Sequence, residues 1–234
     1  MTRDTRTYGH FCTLARSLEV LGDRWSLLVV RDLVVSRRRF TDLMELLGGI
    51  TPKTLSQRLK DLERHGIVHA EREPGRREVW YELTPAGRDL APALEALTLW
   101  GFRHPHRPRQ PGEPLHPEHL LHALRVVLGR ESRLQRPARW RFTFTDDGDY
   151  TLAFDGKRWD LLPAVGEAGD ADVVVTTTSE AWANHITTPA AERAADPPGV
   201  DVAGKAGAVT TFWRALARFP DAAREPAEVS TPAV

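Results

Sequence analysis

Residues 39–68 constrain the fold of this chain more than any other segment. A short amphipathic helix runs into the pair Gly48-Gly49, and a second helix begins with Thr51 as its N-cap and Pro52 at its first position. The apolar positions of the second helix are spaced i, i+4, i+7, at Leu55, Leu59 and Leu62. This spacing buries one face and leaves a polar, cationic face outside. The segment therefore predicts a helix-turn-helix whose second helix faces a DNA major groove.

The residues after this helix predict a β-hairpin. Gly66 can end the helix in the left-handed conformation, and residues 67–72 and 78–83 both alternate apolar with polar side chains. Residues 73–77 form the turn between them. Thr84 and Pro85 then begin one further helix, with apolar positions at Leu90, Leu94, Leu97 and Trp100. A helix-turn-helix followed by a hairpin wing and a helix is a winged-helix DNA-binding domain.

Residues 12–101 resemble the HxlR-type winged-helix transcriptional regulators of bacteria. The matching pieces are Cys12, GDRWSLLVVRDL (22–33), RRFTDL (38–43), GITPKTLSQRLKDLERHGIV (49–68) and YELTPAGRDL (81–90). The resemblance implies a homodimer that binds a roughly palindromic operator on double-stranded DNA. It also implies that the N-terminal and C-terminal helices of the domain build the dimer contact, here around Leu14, Leu18 and Leu21 and along the helix after Pro85.

Two sets of side chains are predicted to contact the DNA. Cations flanking the helix-turn-helix would bind phosphates and supply most of the affinity. These cations are Arg37, Arg38, Arg39, Arg76 and Arg77. The first turns of the recognition helix would read base edges. The base-reading set is Thr51, Lys53, Thr54, Ser56, Gln57 and Arg58.

Composition limits the class of protein without deciding it. The chain has 234 residues, which suggests one or two domains, and a formal net charge of zero, so DNA binding must rest on local placement of cations. No apolar run approaches the ~20 residues of a membrane span, and no signal peptide opens the chain. The single cysteine fits a reducing cytoplasm. We therefore expect a cytoplasmic protein with no membrane partner.

A proline-rich segment predicts the domain boundary. Residues 103–117 contain five prolines and should form an extended linker. We therefore expect a winged-helix and dimerisation domain at 1–104, a linker at 105–117, a second domain at 118–220 and a disordered tail at 221–234.

The second domain is predicted to be α+β, with an antiparallel sheet covered by helices. Strand-like alternation occurs at 140–144, 150–154, 157–161 and 171–177, and a short strand is possible at 200–202. Helices are expected at 119–128, 179–187 and after Gly204. The segments ADVVVTTTSEAWANHIT (171–187) and VDVAGKAGAVTTFWRALARF (200–219) resemble sterol-carrier-protein-like domains. That resemblance implies a cavity for a small apolar effector.

An aromatic set is the candidate lining of this cavity. It comprises Trp140, Phe142, Phe144, Tyr150, Leu152, Trp159, Trp182, Phe212 and Trp213. An aromatic stripe is also what a filled core needs, so the alternative is a solid domain that only holds the dimer together.

Few residues suggest other chemistry. Cys12 occupies a position where the resembled family often carries a redox-sensing cysteine, although a buried, inert thiol is the plainer reading. His116, His119 and His122 are spaced by three but predict no metal site, and catalytic motifs are absent, so we expect no cofactor, no catalytic residue and no enzyme.

These patterns predict a bacterial transcriptional repressor whose C-terminal domain senses a small apolar ligand. Two alternatives stay open. One is a redox or electrophile switch through Cys12 with a purely structural C-terminal domain. The other is a lipid-carrier or enzyme-like protein that does not bind DNA.

Overall fold

The computed structural model describes residues 7–217 except 73–74, 76–77, 105–106, 108–109, 111–112, 132–133, 164–169, 189, 195 and 206. The chain divides into two compact units, Met1–Leu94 and Glu95–Val234. The division precedes the proline-rich segment in which we placed the linker. Much of that segment and all of the predicted tail lie outside the described residues, so the linker and tail stay predictions.

The first unit is a winged helix. Its helices are α1 (Thr13–Leu21), α2 (Ser26–Val35), α3 (Phe40–Leu47), α4 (Pro52–Arg64), α5 (Pro85–Arg88) and the start of α6 (Ala91–Arg103). Its strands are β1 (Arg38–Arg39), β2 (Val68–Arg72) and β3 (Val79–Leu83), paired antiparallel in the order β1-β3-β2. The core is made by apolar side chains of α2, α3 and α4, including Val29, Val30, Leu43, Leu55 and Leu62. The predicted winged-helix fold is confirmed.

Two local features differ from the sequence prediction. The two-residue strand β1 was not foreseen, because it is too short to show an alternating pattern. The single helix expected from Pro85 is interrupted, so that α5 ends at Arg88 and α6 begins at Ala91. Pro92 explains the interruption, since proline has no N–H to donate to the carbonyl oxygen of Arg88 four residues earlier.

Gly87 allows α5 to approach the wing closely. A Cβ at this position would lie 2.1 Å from the carbonyl oxygen of Ile67. Thr84 fixes the same junction, since its hydroxyl oxygen accepts a hydrogen bond from the Gly87 N–H at 3.1 Å and donates to the Gly66 carbonyl. The glycine is therefore required by packing and not by a left-handed backbone.

The second unit is an α+β domain. Its elements are α7 (Pro117–Glu131), β4 (Ala138–Phe144), β5 (Asp149–Phe154), β6 (Trp159–Pro163), β7 (Val173–Thr177), α8 (Ser179–Thr187), a 3₁₀ turn (Ala190–Glu192), β8 (Val200–Gly204) and α9 (Ala208–Leu216). No helix among the described residues is long and apolar enough to cross a membrane.

The sheet of the second unit is mixed, which corrects the antiparallel meander that we predicted. The strand order is β6-β5-β4-β7-β8, and β7 runs parallel to β4, with Trp140 opposite Val173. Tight turns force β4, β5 and β6 to be antiparallel neighbours. A longer connection precedes β7, and alternation reveals which face a strand buries but not which strand lies beside it.

The aromatic face of β4 forms the core of this unit. Trp140, Phe142 and Phe144 are all buried on that face, and helices α7, α8 and α9 supply further buried apolar side chains. Ring centroids of Phe142 and Trp182 lie 5.1 Å apart, and those of Trp140 and Phe212 lie 5.0 Å apart. The predicted one-sided burial of the strand is confirmed.

Candidate nucleic-acid interface

The turn between α3 and α4 sets the direction of the candidate recognition helix. Gly48 and Gly49 have φ values of 47° and 61°, a region that glycine adopts without steric cost. Thr51 then caps α4, because its hydroxyl oxygen accepts a hydrogen bond from the Thr54 N–H at 3.2 Å. Together with Pro52 at the first helical position, these residues fix where α4 begins.

Helix α4 has one buried and one exposed side. Leu55, Leu59 and Leu62 are buried in the unit's core, whereas Lys53 and Lys60 are exposed. Within the described part of the chain neither lysine forms an ion pair. The helix therefore offers two uncompensated ammonium groups to solvent, as an anionic partner such as DNA requires.

The predicted base-reading residues differ in how accessible they are. Thr51 and Lys53 are exposed, while Thr54, Ser56 and Gln57 are half-buried. The side-chain amide of Gln57 donates to Asp61 Oδ1 at 3.0 Å, one turn along the same helix. Such a half-exposed hydrogen bond is weak enough to exchange for a base edge, so the base-reading role of these residues stays a prediction.

Arg58 has intramolecular partners that the sequence did not reveal. Its guanidinium pairs with Asp23 at 3.1 Å and with Asp61 at 2.9 Å. Asp23 also accepts hydrogen bonds from the backbone N–H groups of Trp25 and Ser26, at 2.8 and 3.1 Å. Burial alone would raise the pKa of Asp23, but the hydrogen bonds from Ser26 and Trp25 and the Arg58 guanidinium outweigh it and lower that pKa. Arg58 thus ties α4 to the start of α2.

The arginines before α3 surround a tryptophan at the base of the wing. The Arg37 and Arg39 guanidinium carbons lie 4.7 and 5.6 Å from the ring centroid of Trp80. Pairing of β1 with β3 places them there, with Arg39 opposite Trp80. Arg37 also pairs with Glu71 at 3.1 Å. Exposed pairs of this kind contribute only about 0–1 kcal/mol, so they can open to a phosphate. Arg38 is half-buried, and Arg76 and Arg77 lie outside the described residues.

Each unit carries large apolar side chains that are exposed to solvent. In the first unit Phe11 is 96% exposed, and Leu14 and Leu18 on α1 are also exposed. In the second unit Leu97 and Trp100 on α6 are 53% and 49% exposed. The other residues predicted for the dimer contact face inward: Leu21 is buried, and Leu90 and Leu94 pack against the first unit's core.

Cys12 is an exposed free thiol at the N-cap position of α1. The sequence favoured a buried thiol, and this exposure corrects that expectation. Arg16, one helical turn after Cys12, places its guanidinium 4.8 Å from the ring centroid of Phe11.

The candidate effector residues form a closed aromatic cluster in the second unit. Most are buried, and Tyr150 and Trp213 are half-buried. The Trp140 and Trp159 ring centroids lie 4.5 Å apart. The buried indole N–H groups of Trp159 and Trp182 have no hydrogen-bond acceptor among the described residues. Such unsatisfied donors cost roughly 1–3 kcal/mol each, which an acceptor on a ligand would recover.

Comparisons with known proteins agree with the winged-helix geometry. The family of HxlR-like helix-turn-helix proteins matches residues 20–108. The uncharacterised HTH-type regulator sll1512 of Synechocystis is 39% identical over 90 residues, which are 38% of this chain and 67% of that protein. The Bacillus subtilis HTH-type regulator YtcD is 36% identical over 95 residues, which are 39% of this chain and 73% of that protein. The chain belongs to the HxlR-like helix-turn-helix family.

The chain is also similar to two further proteins. The chain is 41% identical over 99 residues to the Mycobacterium tuberculosis HTH-type regulator Rv3095, which is 41% of this chain and 61% of that protein's length. The oxidised form of the redox regulator HypR has a TM-score of 0.37 and 31% identity, covering 38% of this chain and 94% of that one.

Proposed function

We propose that this protein is a bacterial transcriptional regulator, acting as a repressor, that binds operator DNA through α4. The placement of α4 carries the proposal: Leu55, Leu59 and Leu62 fix one side in the core, and Lys53 and Lys60 are left exposed and uncompensated on the other. Counterion release by such cations supplies affinity, and the polar side chains beside them supply sequence preference.

The experiment that tests this role is the salt dependence of DNA binding. Lys60→Ala should weaken binding to a duplex and reduce the slope of log affinity against log salt by about 1, since it removes one phosphate contact. Lys157→Ala, in the second unit, makes the same charge change and should leave both quantities as in wild type. Equal effects of the two substitutions would show that α4 is not the DNA-binding element.

The proposed active form is a homodimer on a palindromic operator. Phe11, Leu14 and Leu18 on the first unit, and Leu97 and Trp100 on the second, are large apolar groups in water, which is typical of a surface that another copy covers. Leu97→Glu should therefore give monomers, because a dimer would have to bury its charge. If light scattering shows that the wild-type protein is monomeric at micromolar concentration, the homodimer is excluded.

A small apolar effector is proposed for the second unit, which we interpret as sterol-carrier-like. What supports it is the aromatic cluster, with two buried indole N–H groups that have no acceptor among the described residues. A ligand there would have to separate rings that now touch. Native mass spectrometry of the purified protein should detect a co-purified apolar molecule. If no compound in a panel of apolar molecules changes the melting temperature of the protein, the second unit has only a structural role.

A redox switch through Cys12 is the second candidate function. The observation that favours it is the exposed thiol at the start of α1, since oxidants reach only accessible cysteines. Treatment with diamide should then change DNA binding by wild type but not by Cys12→Ser. The same response in both proteins would exclude it.

A further inference from the structure

A cavity of about 480 Å³ lies between α8 and the residues that follow it in the second unit. Its apolar walls include Ala181, Ala194 and Pro197. Its size falls within the range of about 300–1,000 Å³ that small-molecule sites occupy. None of these wall residues belongs to the aromatic cluster, so this cavity is separate from the location that the sequence suggested.

His185 supplies the polar group of this cavity. The residue is 8% exposed, and its ring lies between those of Trp182 and Trp213 at centroid distances of 5.7 and 5.4 Å. Across the described residues its ring nitrogens make no hydrogen bond. Burial and the nearby Arg193 lower the pKa of His185 to about 4, so the ring is neutral at pH 7. A neutral imidazole has one N–H to donate and one nitrogen to accept, and both can bind the polar group of a ligand.

Arg193 lines the cavity, but its guanidinium already donates hydrogen bonds within the protein. Its guanidinium donates to the carbonyl oxygens of Thr188, Ile186 and Leu216, at 2.8, 3.3 and 3.1 Å. These carbonyls end α8 and α9, where a cation is favoured by the helix dipoles. The guanidinium therefore has few N–H groups left to bind an anionic ligand.

The remaining charges of the cavity are negative. Glu180 and Glu192 both line it. With Arg193 they give a formal charge of −1, which disfavours carboxylate or phosphate ligands.

We propose that this cavity binds a small neutral or singly cationic organic molecule, with its apolar body against Ala181, Ala194 and Pro197 and its polar group hydrogen-bonded to His185. This site is separate from the aromatic cluster, so it does not depend on whether an apolar effector enters that cluster. It requires no opening of the aromatic cluster, because the space already exists.

Three probes of similar size separate the ligand classes: benzyl alcohol, benzylamine and benzoate. Each is titrated into the full-length protein while the ring resonances of the histidines are followed by NMR. Benzyl alcohol and benzylamine should shift the His185 resonances and saturate, and benzoate should bind at least tenfold more weakly. Absence of any saturable shift would overturn the site, and equal binding of benzoate would overturn the ligand class.

Two substitutions locate the binding. Ala194→Leu fills the cavity from an exposed position and should weaken the first two probes at least tenfold, whereas the matched Ala203→Leu on β8 should not. Glu192→Gln should weaken benzylamine several-fold and leave benzyl alcohol unchanged. Wild-type binding by Ala194→Leu would place the probes elsewhere and overturn the proposal. No DNA is present, so failure here is distinct from failure of DNA binding.

Discussion

Arg58 of α4 forms an ion pair with Asp23 at 3.1 Å, and Asp23 in turn accepts the backbone N–H groups that begin α2. A cation on the candidate recognition helix is thus part of the scaffold that orients the helix. Because the pair is three-quarters shielded from solvent on the arginine side, it should contribute more than an exposed pair does.

The first prediction concerns this pair. Arg58→Ala should destabilise the protein by about 1–2 kcal/mol, and Asp23→Asn should do the same. A double-mutant cycle from urea unfolding should give a coupling free energy of about 1 kcal/mol, because the two changes remove one interaction. Unchanged stability of Arg58→Ala, together with altered preference at one base pair, would instead assign this arginine to base reading.

The second prediction separates base contacts from phosphate contacts. Gln57→Ala should cost about 1–3 kcal/mol of binding free energy at one operator position only, because an amide reads a base edge. Arg37→Ala, at the base of the wing, should weaken binding to all duplexes alike. Affinities for single-base operator variants at fixed salt decide between them. If Gln57→Ala weakens binding equally to all operator variants, Gln57 does not contact a base.

The winged helix was predictable because its signals are local. Thr51 and Pro52 mark a helix start, and the leucines of α4 recur at helical spacing. The Arg58–Asp23 pair and the parallel pairing of β7 with β4 were not predictable, because both join residues far apart in sequence and leave no periodic pattern. The cavity beside α8 could not be predicted from the sequence for a related reason. Its apolar walls are alanines and prolines, which carry no chemical signature, and His185 is one of several polar positions on α8.

The third prediction tests the close approach at Gly87. Gly87→Ala should destabilise the first unit by about 1–3 kcal/mol, since the added methyl meets the Ile67 backbone and cannot be avoided by a rotamer change. Gly129→Ala, in α7 with open space around it, should be stabilising by about 0.5–1 kcal/mol. Thermal unfolding of both variants provides the comparison. Two effects of the same sign would contradict the packing at Gly87.

The fourth prediction is a pH dependence from His185. Its pKa is about 4 in the folded protein and 6.5 ordinarily, so between these values the unfolded chain binds more protons. The free energy of unfolding should therefore fall as the pH drops from 6.5 towards 4. We expect wild type to lose about 1 kcal/mol more than His185→Phe between pH 7 and pH 5, after allowance for the open cavity beside the ring.

Urea unfolding of both proteins at pH 7, 6 and 5 measures this difference. Glu180, Glu192 and Arg193 are present in both, so their own titration cancels in the comparison. Parallel stability curves for the two proteins would show that His185 is not held neutral.

The central claim is that α4 reads DNA in a two-fold symmetric dimer, and selection from random duplexes tests it most directly. The full-length protein should enrich a palindromic sequence whose half-sites are about 10 base pairs apart, centre to centre. It should bind that duplex at least ~10³-fold more tightly than a scrambled one at physiological salt. Enrichment of no common sequence, with equal affinity for both duplexes, would contradict the account.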